Sequence, residues 1–313
     1  HLPETDRKRD RHVGTEGMIR MRIIDSHVHF PTPDFFGKPE GKVHPWLAQE
    51  RTRWRKAWQF DGAEPLQSKD ELVERWYREA IEHDISVVFV TSGGNDAMSE
   101  IVKAHPDRFY GYAHHDPSLK EAPYLLEKAI KEQGLKGYKI LGPAVNTPLD
   151  CKDLYPVWEV AQGENIPVLI HFGIMGSAGG IANHVNINPL IIHDVAKNFP
   201  DLKIIVPHFG CGYIFETLNL CWACPNVYID TSGSNQWMRW MPYEVNLEML
   251  FRKYRETIGP GRILFGTDSS YFPRGYAKSY FDEQFKAMVN VGYSDDEIDK
   301  VVFGNIDDLL KGR

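Results

Sequence analysis

The sequence predicts an α/β protein built as a (β/α)8 barrel, on three observations. First, short apolar, β-branched segments alternate with amphipathic helical segments along most of the 313 residues. Strands buried on both faces read as such near-continuous apolar runs, and unbroken strand–helix alternation implies a parallel sheet. Second, the length suits one large barrel once insertions are counted. Third, histidines and an aspartate recur at the C-terminal ends of strands, where a barrel has its active-site mouth. A doubly wound open sheet is the alternative. It often carries a glycine fingerprint after its first strand, whereas here Phe30-Pro31-Thr32-Pro33 follows.

The elements follow in order. Arg22–His29 is the first strand. Residues 30–67 form an irregular insertion rich in Pro, Trp and charge, including Trp46, Trp54, Trp58 and Phe60. So long a connection is usually functional, and this one is expected to be a lid or a contact with a second subunit. Ser68 with Glu71 reads as a capping box opening a helix that runs to about His83. Ile85–Val90 is the second strand, Asn95–Ala104 a helix, and Phe109–Ala113 the third strand. A helix over Ser118–Gln133 stops at Gly134, and Leu135–Leu141 is the fourth strand. A helix over Asp150–Gly163 leads to the fifth, Ile166–His171. A loop with Gly173, Gly176, Gly179 and Gly180 precedes a helix over Asn188–Asn198. Leu202–His208 is the sixth strand, with a helix over 210–223. Asn226–Asp230 is the seventh, with a helix near 243–257. Arg262–Thr267 is the eighth, and helices near 278–290 and 294–310 end the barrel.

Composition narrows the function. With 42% hydrophobic and 25% charged residues the chain has an ordinary globular balance. A net charge of −7 argues against a nucleic-acid-binding surface. No apolar run approaches the roughly 18 residues that span a bilayer. Residues 1–17 are polar and lack the apolar centre of a secretory signal. They are expected to be a flexible arm, a processed end or an expression remnant ahead of a single domain, 18–313. Four cysteines (Cys151, Cys211, Cys221, Cys224) suggest no disulfide framework, so a reducing cytoplasm is the expected location. Cys221 and Cys224 form a CxxC without the second pair a structural zinc site needs. They sit near the end of a predicted helix and are expected to be packing residues.

The chemistry lies at the strand ends. His27 and His29 are two apart, so along a strand their side chains share one side. An isolated His-x-His is as easily a hydrogen-bonded core pair, but partners stand at equivalent points of later strands. The fourth strand offers Lys139, the fifth His171 in His-Phe-Gly, the sixth His208 in a second His-Phe-Gly, and the eighth Asp268 in Gly-Thr-Asp. Four imidazoles and a carboxylate at one mouth suit a first-row transition metal. Asp230 could orient a ligand histidine from behind. Asp116 reads as a local turn residue, and at most one of His114 and His115 can face the mouth. Arg274, six residues past Asp268, could clamp a substrate carboxylate. A buried inert thiol is the expected state of Cys211.

These motifs, with Pro225-Asn-Val-Tyr-Ile-Asp230 and Val302-Phe-Gly-Asn305, resemble the amidohydrolase superfamily. More narrowly they resemble the amidohydrolase-2 group of TIM-barrel metal-dependent hydrolases, which also contains aminocarboxymuconate semialdehyde decarboxylase and related nonoxidative decarboxylases. The resemblance runs from Met18 to Leu310. It implies one divalent metal, zinc first and manganese or iron as alternatives, held by His27, His29, His171 and Asp268. His208 would stand beside the metal as acid/base, and Asp268 would also accept a proton. A strand-four lysine is carboxylated and bridges two metals in binuclear members; here Lys139, at that place, is expected to meet substrate, as is Arg274, with a lysine reaching solvent and an arginine on the surface as the alternatives. The expected function is a hydrolase in which metal-activated water attacks a lactone, ester or amide carbonyl of a small molecule. The alternative is a nonoxidative decarboxylase of an unsaturated or aromatic carboxylic acid. A non-enzymatic barrel would have lost a ligand or the acid/base, and none is missing. A homodimer is the expected assembly, with neither nucleic acid nor membrane as partner.

Overall fold

The computed structural model describes residues 21–32, 49, 53, 56, 62–173, 184–233 and 237–313. The N-terminal arm 1–17, the aromatic residues Trp46, Trp54, Trp58 and Phe60, and Gly176, Gly179 and Gly180 lie outside the described residues.

The strands are β1 (Ile23–His29), β2 (Ile85–Thr91), β3 (Phe109–Gly111), β4 (Ala113–His114), β5 (Tyr138–Leu141), β6 (Pro167–His171), β7 (Lys203–Val206), β8 (Val227–Asp230) and β9 (Ile263–Leu264). All pair in parallel, in the orders β1-β2-β3 and β4-β5-β6-β7-β8-β9. The expected third strand is thus present but broken at Tyr112. Tyr112 N donates to Phe89 O at 2.9 Å and Ala113 N to Gly137 O at 2.8 Å, so this one segment pairs first with β2 and then with β5. At the other seam, Ser26 N reaches Phe265 O at 3.0 Å and Asp268 N reaches His27 O at 2.9 Å. A parallel bridge between Val28 and Ser269 continues this contact, which ties the last strand back to the first.

The helices are α1 (Lys69–Glu82), α2 (Asn95–Ala104), α3 (Ala122–Lys131), α4 (Tyr155–Gly163), α5 (His193–Asn198), α6 (Ile214–Ala223), α7 (Leu247–Ile258), α8 (Lys278–Asn290), α9 (Asp295–Asp299) and α10 (Asn305–Leu310). The capping box at Ser68 is present: its side chain accepts from Glu71 N while the Glu71 carboxylate takes Ser68 N at 3.0 Å. Several helices start later than expected because single 3₁₀ turns precede them, at Lys152–Leu154 before α4 and Pro189–Ile192 before α5. The expected 294–310 helix is α9 and α10 joined by a π turn over Lys300–Gly304. Among the described residues no helix is long and apolar enough to cross a membrane.

Alternation along the strands sorts the core into two layers. Val87, Phe89, Val168, Ile170, Ile204 and Val206 pack outward with the helices. Their neighbours Val88, Val90, Leu169 and Ile205 join Ile24, Tyr112 and Leu264 on the other face, as period-two strands require. Ile306, Leu309 and Leu310 of α10 belong to that inner cluster. Asn165, just ahead of β6, donates to Gly312 O at 2.7 Å, which places α10 across the N-terminal end of the strands. The opposite end is left to polar side chains.

Candidate metal centre

Backbone geometry turns the site residues inward. His208 and Asp268 have positive φ, 59° and 61°, as do Phe209 and Cys211 around the first of them. Left-handed backbone is unfavourable for residues with a Cβ and, where it occurs, clusters at functional sites. Here it lets the chain leave β7 and β9 sharply, so that both side chains fold back over the strand ends. Asp25 holds the second of these turns. Its Oδ1 accepts from Thr267 N at 3.0 Å and its Oδ2 from Thr267 Oγ1 at 2.5 Å.

Three donor atoms meet at one point. His27 Nε2 lies 3.3 Å from His29 Nε2, His29 Nε2 lies 3.1 Å from Asp268 Oδ1, and His27 Nε2 lies 3.7 Å from the same oxygen. Bonds of about 2.1 Å to a common divalent cation give donor–donor separations of about 3.0–3.4 Å in octahedral or tetrahedral arrangement. Two of the observed spacings, 3.3 and 3.1 Å, fall in that range, and the third, 3.7 Å, lies just above it. The outer ring nitrogens are engaged: His27 Nδ1 with Asp230 Oδ2 at 2.8 Å and His29 Nδ1 with Thr91 Oγ1 at 2.6 Å. This pattern of histidines held from behind orients metal ligands in known sites. His27 donates its Nδ1 proton to the carboxylate, which leaves a lone pair on the inward Nε2.

The charge states suit the same role. Burial lowers the pKa of His27 and His29, so both stay neutral. Burial would raise Asp268, but the hydrogen bond with His29 and the nearby His208 and His27 hold it well below the usual carboxylate range. Asp230 is likewise held low by His27 and His208 against the cost of burial. Two neutral imidazoles and an ionised carboxylate form a donor set complementary to a divalent cation.

The other expected residues take varied places. His171 stands apart from the three-atom cluster: its Nδ1 lies 3.1 Å from His208 Nε2, and its Nε2 is buried with no hydrogen-bond partner among the described residues. His208 belongs to a second potential ligand group with His27 and Asp230. Burial lowers its pKa to about 4. Lys139 does not reach solvent. It is 1% exposed, its Nζ lies 3.3 Å from His27 Nε2, and burial lowers its pKa to about 8 against the pull of Asp230 and Asp268. Arg274 lies 5.1 Å from the Tyr280 ring centroid and 5.9 Å from that of Tyr271.

Asp116 forms the expected turn, accepting from Ser118 N at 2.8 Å. His114 Nδ1 faces Lys139 O at 3.0 Å and His115 Nε2 faces Ala122 O at 3.1 Å, so the adjacent pair diverges. Cys221 and Cys224 are buried free thiols, as packing residues would be. Two participants escaped the sequence reading, Thr91 and Ser232. Ser232 Oγ lies 2.5 Å from Asp230 Oδ1, 2.8 Å from His208 Nδ1 and 3.0 Å from His27 Nδ1. The available signals were a hydroxyl closing the second strand and another two residues past the seventh-strand aspartate.

Known proteins place this arrangement. A family model described as amidohydrolase (Amidohydro_2) matches residues 24–311, so the chain belongs to the amidohydrolase family. Similar solved structures include an uncharacterized TIM-barrel protein from Bordetella bronchiseptica, 21% identical, covering 93% of this chain and 99% of that one with a TM-score of 0.65. A probable 2-pyrone-4,6-dicarboxylic acid hydrolase from Acinetobacter baumannii, with citric acid bound, is 16% identical, covering 93% and 100% with a TM-score of 0.61. A dihydroxybenzoic acid decarboxylase from a Polaromonas species, with manganese and 2-nitroresorcinol bound, is 20% identical, covering 93% and 97% with a TM-score of 0.62. At these identities the likeness is one of fold. It identifies the parallel strands as those of a (β/α)8 barrel, and the family match bears out the resemblance read from the motifs.

Proposed function

We propose that this protein is a metal-dependent hydrolase that opens a lactone, ester or amide carbonyl of a small molecule. The observation that carries the reading is the meeting of His27 Nε2, His29 Nε2 and Asp268 Oδ1 at one point, with His208 alongside. His27, His29 and Asp268 would hold one divalent cation, and His171 would add its unpartnered Nε2. Zinc is the first choice, with manganese or iron as alternatives. The cation would supply Lewis acidity at a substrate oxygen and bring the pKa of a water toward about 7. Asp268, ionised and 30% exposed at its side chain, is placed to accept a proton from the attacking water. His208, neutral at working pH, can take up a proton on Nε2 in place of its hydrogen bond with His171 Nδ1 and return it to the leaving group. Lys139 and Arg274 would orient an anionic part of the substrate.

The two cationic side chains also favour a second reading, a nonoxidative decarboxylase, because a substrate carboxylate is the group they would bind. Lactones and aromatic carboxylic acids, offered in parallel to metal-reconstituted protein in ¹⁸O-water, separate the two. A hydrolase incorporates one ¹⁸O into its acid product and releases no CO2. Release of CO2 with proton incorporation at carbon would replace the hydrolase by the decarboxylase. No turnover in either series would count against both.

A further inference from the structure

We propose that Ser232 is a positioning residue: by giving its single hydroxyl proton to Asp230, it dictates which nitrogen of His208, and through His208 which nitrogen of His171, carries hydrogen. The inference rests on reading the cluster as a metal site, because its consequence is that His171 Nε2 is left as a lone-pair donor.

The proton placements follow one from another. Asp230 is ionised and can only accept. Its Oδ2 takes the His27 Nδ1 proton at 2.8 Å, and its Oδ1 takes Ser232 N at 3.0 Å and His208 N at 3.1 Å. The Ser232 hydroxyl lies 2.5 Å from that same Oδ1. A hydroxyl has one proton, and a buried carboxylate is the strongest acceptor within its reach. Ser232 Oγ therefore has only lone pairs left for His208 Nδ1 at 2.8 Å. His208 must donate there, so the neutral ring bears its proton on Nδ1 and a lone pair on Nε2. That lone pair faces His171 Nδ1 at 3.1 Å, which must then be the protonated nitrogen of His171. What remains is His171 Nε2, buried and without a partner among the described residues. Reversing any link would set two protons or two lone pairs against each other in a buried network, where an unmade hydrogen bond is costly.

Neutral imidazole tautomers differ by little in solution, so a fixed environment decides between them. With Ser232→Ala the His208 Nδ1 proton loses its acceptor. The His208–His171 pair is then free to invert, and inversion puts a proton on His171 Nε2, the nitrogen that the proposed metal reading assigns to the cation. The effect passes through two hydrogen bonds, with no change in charge and no contact between Ser232 and the lone pair it protects.

The test is long-range ¹H–¹⁵N spectroscopy of histidine-labelled, metal-free protein near pH 8, with each ring assigned by His→Gln substitution. Wild type should show His27, His171 and His208 each as the Nδ1–H form. Ser232→Ala should move His171 toward Nε2–H, and Ser232→Thr, which keeps the hydroxyl, should restore it. A chelator competition should show metal affinity about 10–100-fold lower in Ser232→Ala. In a His171→Ala background the same substitution should cost less than about threefold, because its target is gone. An Nε2–H form of His171 in wild type, an unmoved His171 in Ser232→Ala, or additive losses in the cycle would overturn the proposal. Should Ser232→Ala fail to fold, the wild-type spectrum decides alone. Three Nδ1–H forms in a protein that binds no cation would sink the metal reading and leave the relay standing.

Discussion

Asp230 takes four hydrogen bonds: from the His27 ring, from the Ser232 hydroxyl, and from the backbone of His208 and Ser232. A carboxylate so placed holds the rear of one candidate ligand and the base of the proton relay together. Asp230→Asn keeps the shape and removes the charge, and its amide can present a donor where only acceptors fit. Metal affinity, read by chelator competition, should fall about 10–100-fold, with the folded state retained by circular dichroism. An unchanged affinity would mean that His27 is oriented by packing alone. At this scale the sequence was informative wherever the relation is local. His27 and His29 share a strand face by spacing, and Asp268 ends a recognisable Gly-Thr-Asp turn. Ser232 and the turning of His171 toward His208 could not be read, because both depend on which strands become neighbours.

One turn beside the site holds it in place. Gly210 has φ +91°, and a Cβ there would collide with the Thr217 hydroxyl at the start of α6. Gly210→Ala should therefore destabilise the protein by roughly 2–4 kcal/mol in a denaturant titration, through backbone strain plus overpacking. It should also weaken metal binding, because the same turn aims His208. Farther out, Arg255 of α7 grips Glu297 of α9 with two bonds, of 3.0 and 2.7 Å. The hydrogen bond to Arg255 holds the Glu297 carboxyl below its ordinary value. A depressed folded-state pKa stabilises the protein above the unfolded value near 4.5, and that share is lost as pH falls through the folded value. The pair is 35% and 20% exposed, so its worth, discounted for screening, is about 1 kcal/mol or less. Arg255→Ala should lower stability at pH 7 by about that amount, with the gap to wild type closing below pH 4. A gap that persists there would assign the effect to lost packing on Tyr293, whose ring lies 4.9 Å below the guanidinium. Element order was legible because apolar runs and caps are local signals, as at Ser68. The break at Tyr112 and the 3₁₀ turns before α4 and α5 were not, since those ends are set by sheet pairing and packing.

At the scale of the whole molecule, seven of the eight strand segments carry titratable side chains to one end, the second contributing the Thr91 hydroxyl, while α10 covers the other. The barrel itself could be read from the alternation and the length, and the seam between Asp268 and His27 shows why first and last strands share a site. Which reaction the mouth performs depends on substrate contacts, the role proposed for Lys139 and Arg274, and no spacing rule encodes those. The central claim is narrower: His27, His29 and Asp268 hold one divalent cation. The measurement that tests it most directly is metal content per chain by elemental analysis, on protein purified without metal-affinity resin, alongside Asp268→Ala. About one zinc, manganese or iron per wild-type chain is expected, with none retained by the folded variant. A wild type that stays empty after reconstitution, or a fully loaded Asp268→Ala, would contradict the account.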